Sequence, residues 1–71
     1  MVSVGDLCWD IVTESLWIIK DIWWCPYTEH TKYDLMNTKT LLIIEANEAV
    51  VTYMRADFLK RTNSVLDKSE E

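Results

Sequence analysis

The chain has 71 residues, of which 49% are hydrophobic and 27% are charged, and its formal net charge is −5. A chain this short forms a single domain with a small core, and its composition differs from that of disordered and collagen-like proteins. The negative charge repels phosphate, which argues against a general nucleic-acid binder.

The first apolar part of the chain, residues 7–24, fits either two strands or one helix. Its β-branched and aromatic side chains suit a pleated surface, with strands over 7–11 and 16–24 joined by a turn at 12–15. Four apolar residues also recur at the spacing i, i+4, i+7 and i+11 of one helix face: Val12, Leu16, Ile19 and Trp23.

The second apolar part, residues 40–59, is ambiguous in the same way. Strands over 40–45 and 49–54 would flank a turn at Asn47, a residue type that tolerates a positive φ. Alternatively, Asn47 caps a helix that continues to Arg61. One side of that helix would carry Val50, Val51, Met54 and Phe58. The residues alone therefore leave strands and an all-α helical hairpin open.

A resemblance to a known family starts with Val4-Gly5-Asp6-Leu7-Cys8. In many small SH3-like barrels, a hydrophobic residue, Gly-Asp and another hydrophobic pair begin the first strand. Residues 16–22 resemble the second strand of KOW-like and bacteriophage-encoded SH3-like domains. Residues 41–45 and 48–53 are similar to the third and fourth strands, and residues 55–61 look like the short 3₁₀ turn and closing strand.

This resemblance implies an all-β fold, a small five-stranded SH3-like barrel over residues 1–62. Its strands 2 and 3 would be joined by a long loop that covers residues 25–34, where Pro26 and Asp34 interrupt regular structure. We expect residues 63–71 to form an acidic, flexible C-terminal tail.

The function that these features favour is a non-enzymatic protein-interaction domain. Four tryptophans cannot all be buried in so small a core, and an exposed tryptophan beside tyrosines marks a surface for a partner or for a second copy. The predicted partner-binding residues are Trp23, Trp24, Tyr27, His30, Tyr33 and Tyr53. The resemblance to bacteriophage barrels further implies a phage accessory or virion-associated protein.

Two alternatives concern nucleic acid. The KOW-like resemblance implies a nucleic-acid-binding module, for which Arg55, Lys60 and Arg61 form the candidate basic patch. The converse alternative is an acidic mimic of nucleic acid that inhibits a host protein. Its candidate carboxylates are Asp6, Asp10, Glu14, Asp21, Glu29 and Asp34.

Residues with reactive side chains are few and scattered. Cys8, Cys25 and His30 match no zinc-ligand spacing, and a single glycine cannot form a phosphate-binding loop. We therefore expect no catalytic residues, no metal and no cofactor, and free thiols rather than a disulfide.

The cellular location is predicted from the N-terminus and from the apolar stretches. The first residues lack the basic and long apolar regions of a signal peptide. Residues 16–24 are too short to span a membrane and contain Lys20 and Asp21. We expect a cytoplasmic protein with no membrane contact, located in the host cytoplasm or the virion if a bacteriophage encodes it.

Overall fold

The computed structural model describes the backbone of residues 2–70 and the side chains of residues 2–62. It shows an α+β fold, a four-stranded antiparallel sheet of order β1-β2-β3-β4 followed by one helix. The elements are β1 (Leu7–Asp10), β2 (Ser15–Cys25), β3 (His30–Asn37), β4 (Ile43–Asn47) and α1 (Glu48–Glu70).

The predicted five-stranded SH3-like barrel is wrong, because the sheet is open and β1 and β4 form its two edges. The residues expected to form the fourth strand instead begin α1. Asn47 decides this point, since its side-chain Oδ1 accepts a 2.9 Å hydrogen bond from the Val50 N–H and caps the helix. The all-α alternative is also wrong, because residues 15–25 form a strand that pairs on both sides.

The predicted long loop at residues 25–34 is wrong as well. A tight turn at residues 26–29 reverses the chain, and His30 already begins β3. Glu29 adopts the left-handed conformation, with a φ of 55°, that such a turn requires. Because Cys25 is opposite His30, β2 and β3 form one long hairpin with an exposed tip.

An irregularity in β2 decides which of its side chains face the helix. The register between β2 and β3 shifts between Ile19 and Asp21, so Lys20 is the extra residue of a β-bulge. Ile19 pairs with Leu35, and Ile22 pairs with Tyr33, so all four side chains lie on the same face of the sheet. Two isoleucines three positions apart thereby share one face.

The core lies between this face and one side of α1. Helix residues Val51 and Met54 pack onto buried side chains from all four strands. These are Cys8, Trp17, Ile19, Tyr33, Leu35 and Ala46. Val2 and Ile22 are partly buried against the same cluster.

The helix also covers the free edge of β1. The Ile19 N–H donates a hydrogen bond to the Asp6 carbonyl, so the Asp6 carbonyl points toward β2. Because successive carbonyls along a strand point in opposite directions, the Leu7 carbonyl points away from β2. That carbonyl accepts a 2.8 Å hydrogen bond from Nη1 of Arg55. Further along, the Arg61 guanidinium lies 3.9 Å from the centre of the Trp9 ring. The β1 edge is therefore capped by helix side chains.

Two sequence predictions concern the C-terminal part and the membrane. The acidic tail predicted for residues 63–71 lies outside the residues whose side chains are described. Among the described residues, no helix has the length and apolar character needed to cross a membrane.

The core predicts which substitutions destabilise the fold. Leu35→Ala should lower the free energy of unfolding by about 2–5 kcal/mol, because truncation of this buried side chain leaves a cavity in the core. Ile11→Ala, in the exposed β1–β2 turn, should change it by no more than about 0.5 kcal/mol. Urea denaturation followed by tryptophan fluorescence measures both, and equal losses would contradict this core assignment.

Candidate interaction surface

The sheet has a second face that the helix does not cover, which we call the open face. Because paired residues in neighbouring strands point to the same side, the register assigns one row of four apolar side chains to it. The row runs across all four strands and consists of Leu7, Ile18, Met36 and Ile43. The first three are half-buried by their neighbours, and Ile43 is 57% exposed.

A second apolar group adjoins the apolar row where β1 and β2 approach the helix. Trp9 and Leu16 are opposite each other in the register and lie on the same side as Leu7. They line a shallow groove together with Phe58 and Arg61 of the helix. The apolar area of the open face therefore reaches from the β4 edge to the last described turns of α1.

A row of three carboxylates lies next to the apolar row on the same face. Asp21 is opposite Asp34, and Asp34 is opposite Glu45. Like charges in directly opposed positions destabilise a sheet. Partial compensation comes from Lys32, whose Nζ is 3.7 Å from a Glu45 oxygen, and from Trp23, whose indole N–H donates to Asp34 at 3.2 Å. The open face thus has an apolar part and an acidic part.

The β2–β3 hairpin carries most of the aromatic residues that the sequence predicted to bind a partner. Trp23 is half-buried on the open face beside the acidic row. Trp24 is 60% exposed and Tyr27, in the turn, is 95% exposed, while His30 begins β3 and is exposed as well. These four residues belong to one strand pair with a tight turn, where the sequence predicted a long loop, and Trp23 and Trp24 point to opposite faces of it.

The other two predicted aromatic residues lie elsewhere. Tyr33 is only 6% exposed and belongs to the core, where it pairs with Ala46 and Ile22. Tyr53 is exposed on α1, near Ile11 and Val50 rather than near the hairpin tip. The structure therefore does not bring the six residues together into one surface.

The predicted basic patch is divided among other contacts. Arg55 donates to the Leu7 carbonyl and lies over the Phe58 ring, with its guanidinium carbon 5.4 Å from the ring centre. Arg61 is stacked on Trp9, and Lys60 is exposed. Two of the three cations thus stabilise the packing of the helix on β1.

The most exposed apolar run of the sheet was not singled out by the sequence. Leu41, Leu42, Ile43 and Ile44 are 63%, 60%, 57% and 38% exposed. Leu41 and Leu42 lead into β4, and Ile43 and Ile44 are its first residues; β4 is the edge strand that the helix leaves free. An uninterrupted aliphatic tetrapeptide was an available signal, but sequence patterning treated it as an ordinary core strand.

The two cysteines are free and lie in different environments. Burial raises the pKa of the Cys8 thiol above its usual range, against the lowering effect of Arg55. Hydrogen bonds from the side chain and backbone of Thr28 are the main cause of the lowered pKa of Cys25. In the part of the chain with described side chains, no three His, Cys, Asp or Glu residues are grouped to hold a metal ion.

These environments predict unequal thiol reactivity. The thiolate is the reactive form, so at pH 8 Cys25 should react with iodoacetamide at least about tenfold faster than Cys8, which reacts only after local opening. Thr28→Val should slow the Cys25 reaction, because it removes the hydrogen bond that favours the thiolate. Mass spectrometry of timed samples measures both sites, and equal rates would contradict the assigned environments.

The open face therefore combines an apolar row, an acidic row and, on the hairpin side of the acidic row, Trp23. Arg55 and Arg61, which could have supplied opposite charge, are engaged at the β1 edge. No protein-family model, curated protein or solved structure matches this chain.

Proposed function

We propose that this chain is a protein-interaction domain that binds its partner over the open face. The observation that carries the proposal is the apolar row that crosses all four strands on the side opposite the helix. An antiparallel sheet with one solvated face normally alternates apolar side chains inward with polar side chains outward. Apolar residues that continue across the outward side are typical of a surface that another protein covers.

The acidic row defines the chemistry of the partner. Asp21, Asp34 and Glu45 are arranged in a line beside the apolar row, and Lys32 is the one cation placed among them by the described contacts. A complementary surface would bear aliphatic or aromatic side chains flanked by lysine or arginine. Such charge complementarity fixes the orientation of a complex and speeds association.

Trp23 is positioned as the anchor of this surface. Its ring lies between the acidic row and the hairpin tip, and its N–H is already directed to Asp34. A tryptophan held in one orientation contributes a large contact area with little further loss of conformational entropy. Trp24 lies on the other face of the hairpin, the same side as Ile22, so Trp23 rather than Trp24 belongs to the open face.

The nucleic-acid alternatives have less support from this geometry. The candidate cations Arg55 and Arg61 contact other parts of the chain, and the open face carries carboxylates that repel phosphate. For the acidic mimic, Asp6 and Asp10 accept hydrogen bonds within turns and do not extend the Asp21–Asp34 row. The phage role rested on a barrel that the chain does not form.

A random peptide library, displayed on beads and selected against the immobilised chain, tests this proposal. Enriched peptides should alternate apolar with basic residues. Met36→Glu should weaken their binding about tenfold or more, because it places a charge in the centre of the apolar row. Asp21→Lys should lower the affinity for basic peptides through charge repulsion. Added salt should lower the affinity of the unmodified chain for the same peptides.

The matched control is Thr52→Glu, which introduces the same charge at an exposed position on α1. Circular dichroism verifies that each variant keeps the fold. Peptides that bind Met36→Glu as tightly as the unmodified chain, or an enriched set dominated by acidic residues, would refute binding over the open face.

A further inference from the structure

The free edge of β4 is a second feature of the sheet: its backbone groups lie in the plane of the sheet, at the border of the open face. One edge of the sheet, β1, is covered by α1, whereas no strand among the described residues pairs with the outer side of β4. The chain enters β4 through exposed leucines and continues with exposed isoleucines. The strand contains neither lysine nor proline, its register with β3 has no bulge, and Glu45 is its only charged side chain.

The hydrogen-bond pattern shows which backbone groups point outward. The Asn37 N–H donates to the Leu42 carbonyl, so Leu42 is in a hydrogen-bonded pair with β3. Alternation along an antiparallel ladder then directs Ile44 and Ala46 toward β3 as well. It directs the N–H and C=O groups of Ile43 and Glu45 to the outer side.

The turn before β4 holds this edge in an extended conformation. The buried Asn37 side chain accepts hydrogen bonds from the N–H groups of Lys39 and Thr40, at 2.9 and 3.0 Å. The backbone carbonyl of Asn37 accepts a third hydrogen bond from the N–H of Leu41, which has a positive φ of 64°. At the other end, the Asn47 side chain caps the start of α1. The edge is therefore fixed at both ends before any partner binds.

We infer that β4 pairs in antiparallel fashion with β4 of a second copy of this chain, with Ile44 opposite Ile44. In this register Ile43 of each copy is opposite Glu45 of the other. The N–H and C=O groups of Ile43 in each copy then pair with the C=O and N–H groups of Glu45 in the other. The two strands thereby form four backbone hydrogen bonds. Moving the register by two residues would place Glu45 opposite Leu41, whose N–H is already bonded to Asn37.

The side chains favour the same arrangement. Ile44 lies on the helix-bearing face, where it would meet its own counterpart at the two-fold axis, and Leu42 would be opposite Ala46. The carboxylate of Glu45 stays opposite an isoleucine and close to Lys32 of its own chain. A strand that is complementary to itself in backbone hydrogen bonding fits a second copy, and the symmetric contact closes as a dimer.

Disulfide trapping tests this register directly. In a Cys25→Ser background, Ile44→Cys should give a covalent dimer under mild oxidation, because directly opposed residues in a non-hydrogen-bonded pair have Cα atoms about 4.5 Å apart. Glu45→Cys is the matched control on the same edge. Its counterpart lies diagonally, at about 7–8 Å, which is too far for an unstrained disulfide.

Light scattering of the unmodified chain and of Ile44→Lys provides the second measurement. The unmodified chain should reach twice the monomer mass as its concentration rises, and added salt should favour this dimer by screening the net charge of −5. Ile44→Lys should remain monomeric, because it places two ammonium groups together at the axis, whereas Ile44→Val should dimerise.

A monomer at every concentration, or equal trapping of Ile44→Cys and Glu45→Cys, would overturn the inference. Met36→Glu, which tests the open face, should still dimerise, because Met36 lies in β3, one strand away from the paired β4 edges. Failure of edge pairing is thus distinguishable from failure of the proposed function.

Discussion

The packing of α1 against the sheet is the interaction on which the rest of the structure depends. Val51 and Met54 close the core over Ile19 and Leu35, and Arg55, one position further along, bonds to the β1 carbonyl edge. A four-stranded sheet of this size needs such a cover, because two-stranded and uncovered sheets bury too little apolar surface to be stable alone. One helix therefore supplies both the core and the protection of one edge.

A single helix can cover only one face and one edge of an open sheet, and the remaining surfaces follow from this limit. The open face keeps an apolar row beside an acidic row. The β4 edge keeps its backbone groups and an exposed aliphatic run. A closed barrel would have removed the free β4 edge, since closure pairs the two edges. The proposed pairing of β4 is thus a consequence of an architecture that stops short of closure.

Local signals in the sequence identified some elements correctly and misassigned others. The strands predicted over 7–11 and 16–24 correspond to β1 and β2 within one residue at each end. At Asn47 the structure has the helix cap that the sequence offered as the alternative to a turn. The helical spacing that competed with β2 does not describe one face of the strand, because Leu16 and Trp23 lie on the open face while Ile19 lies in the core. The bulge at Lys20 instead brings Ile19 and Ile22 onto one face three positions apart. A bulge of this kind leaves no distinct mark in a single sequence.

The choice between strand and helix after Asn47 depended on a tertiary contact. Residues 48–53 include β-branched and aromatic side chains that suit a strand, but as a helix they place Val51 and Met54 over the sheet. Local propensity does not contain that contact. The aromatic residues of the hairpin are close together in the sequence and were predictable as a group. The core position of Tyr33 and the stacking of Arg61 on Trp9 depend on tertiary contacts and could not be predicted from local sequence.

Amide hydrogen exchange of β4, measured by NMR at several protein concentrations, tests the central claim that the helix leaves this edge open. The N–H groups of Ile44 and Ala46 point to β3 and should be protected at every concentration. Those of Ile43 and Glu45 should exchange rapidly in dilute solution and become protected as the concentration rises. Protection of Ile43 and Glu45 in dilute solution, or rapid exchange of Ile44 at every concentration, would contradict this account.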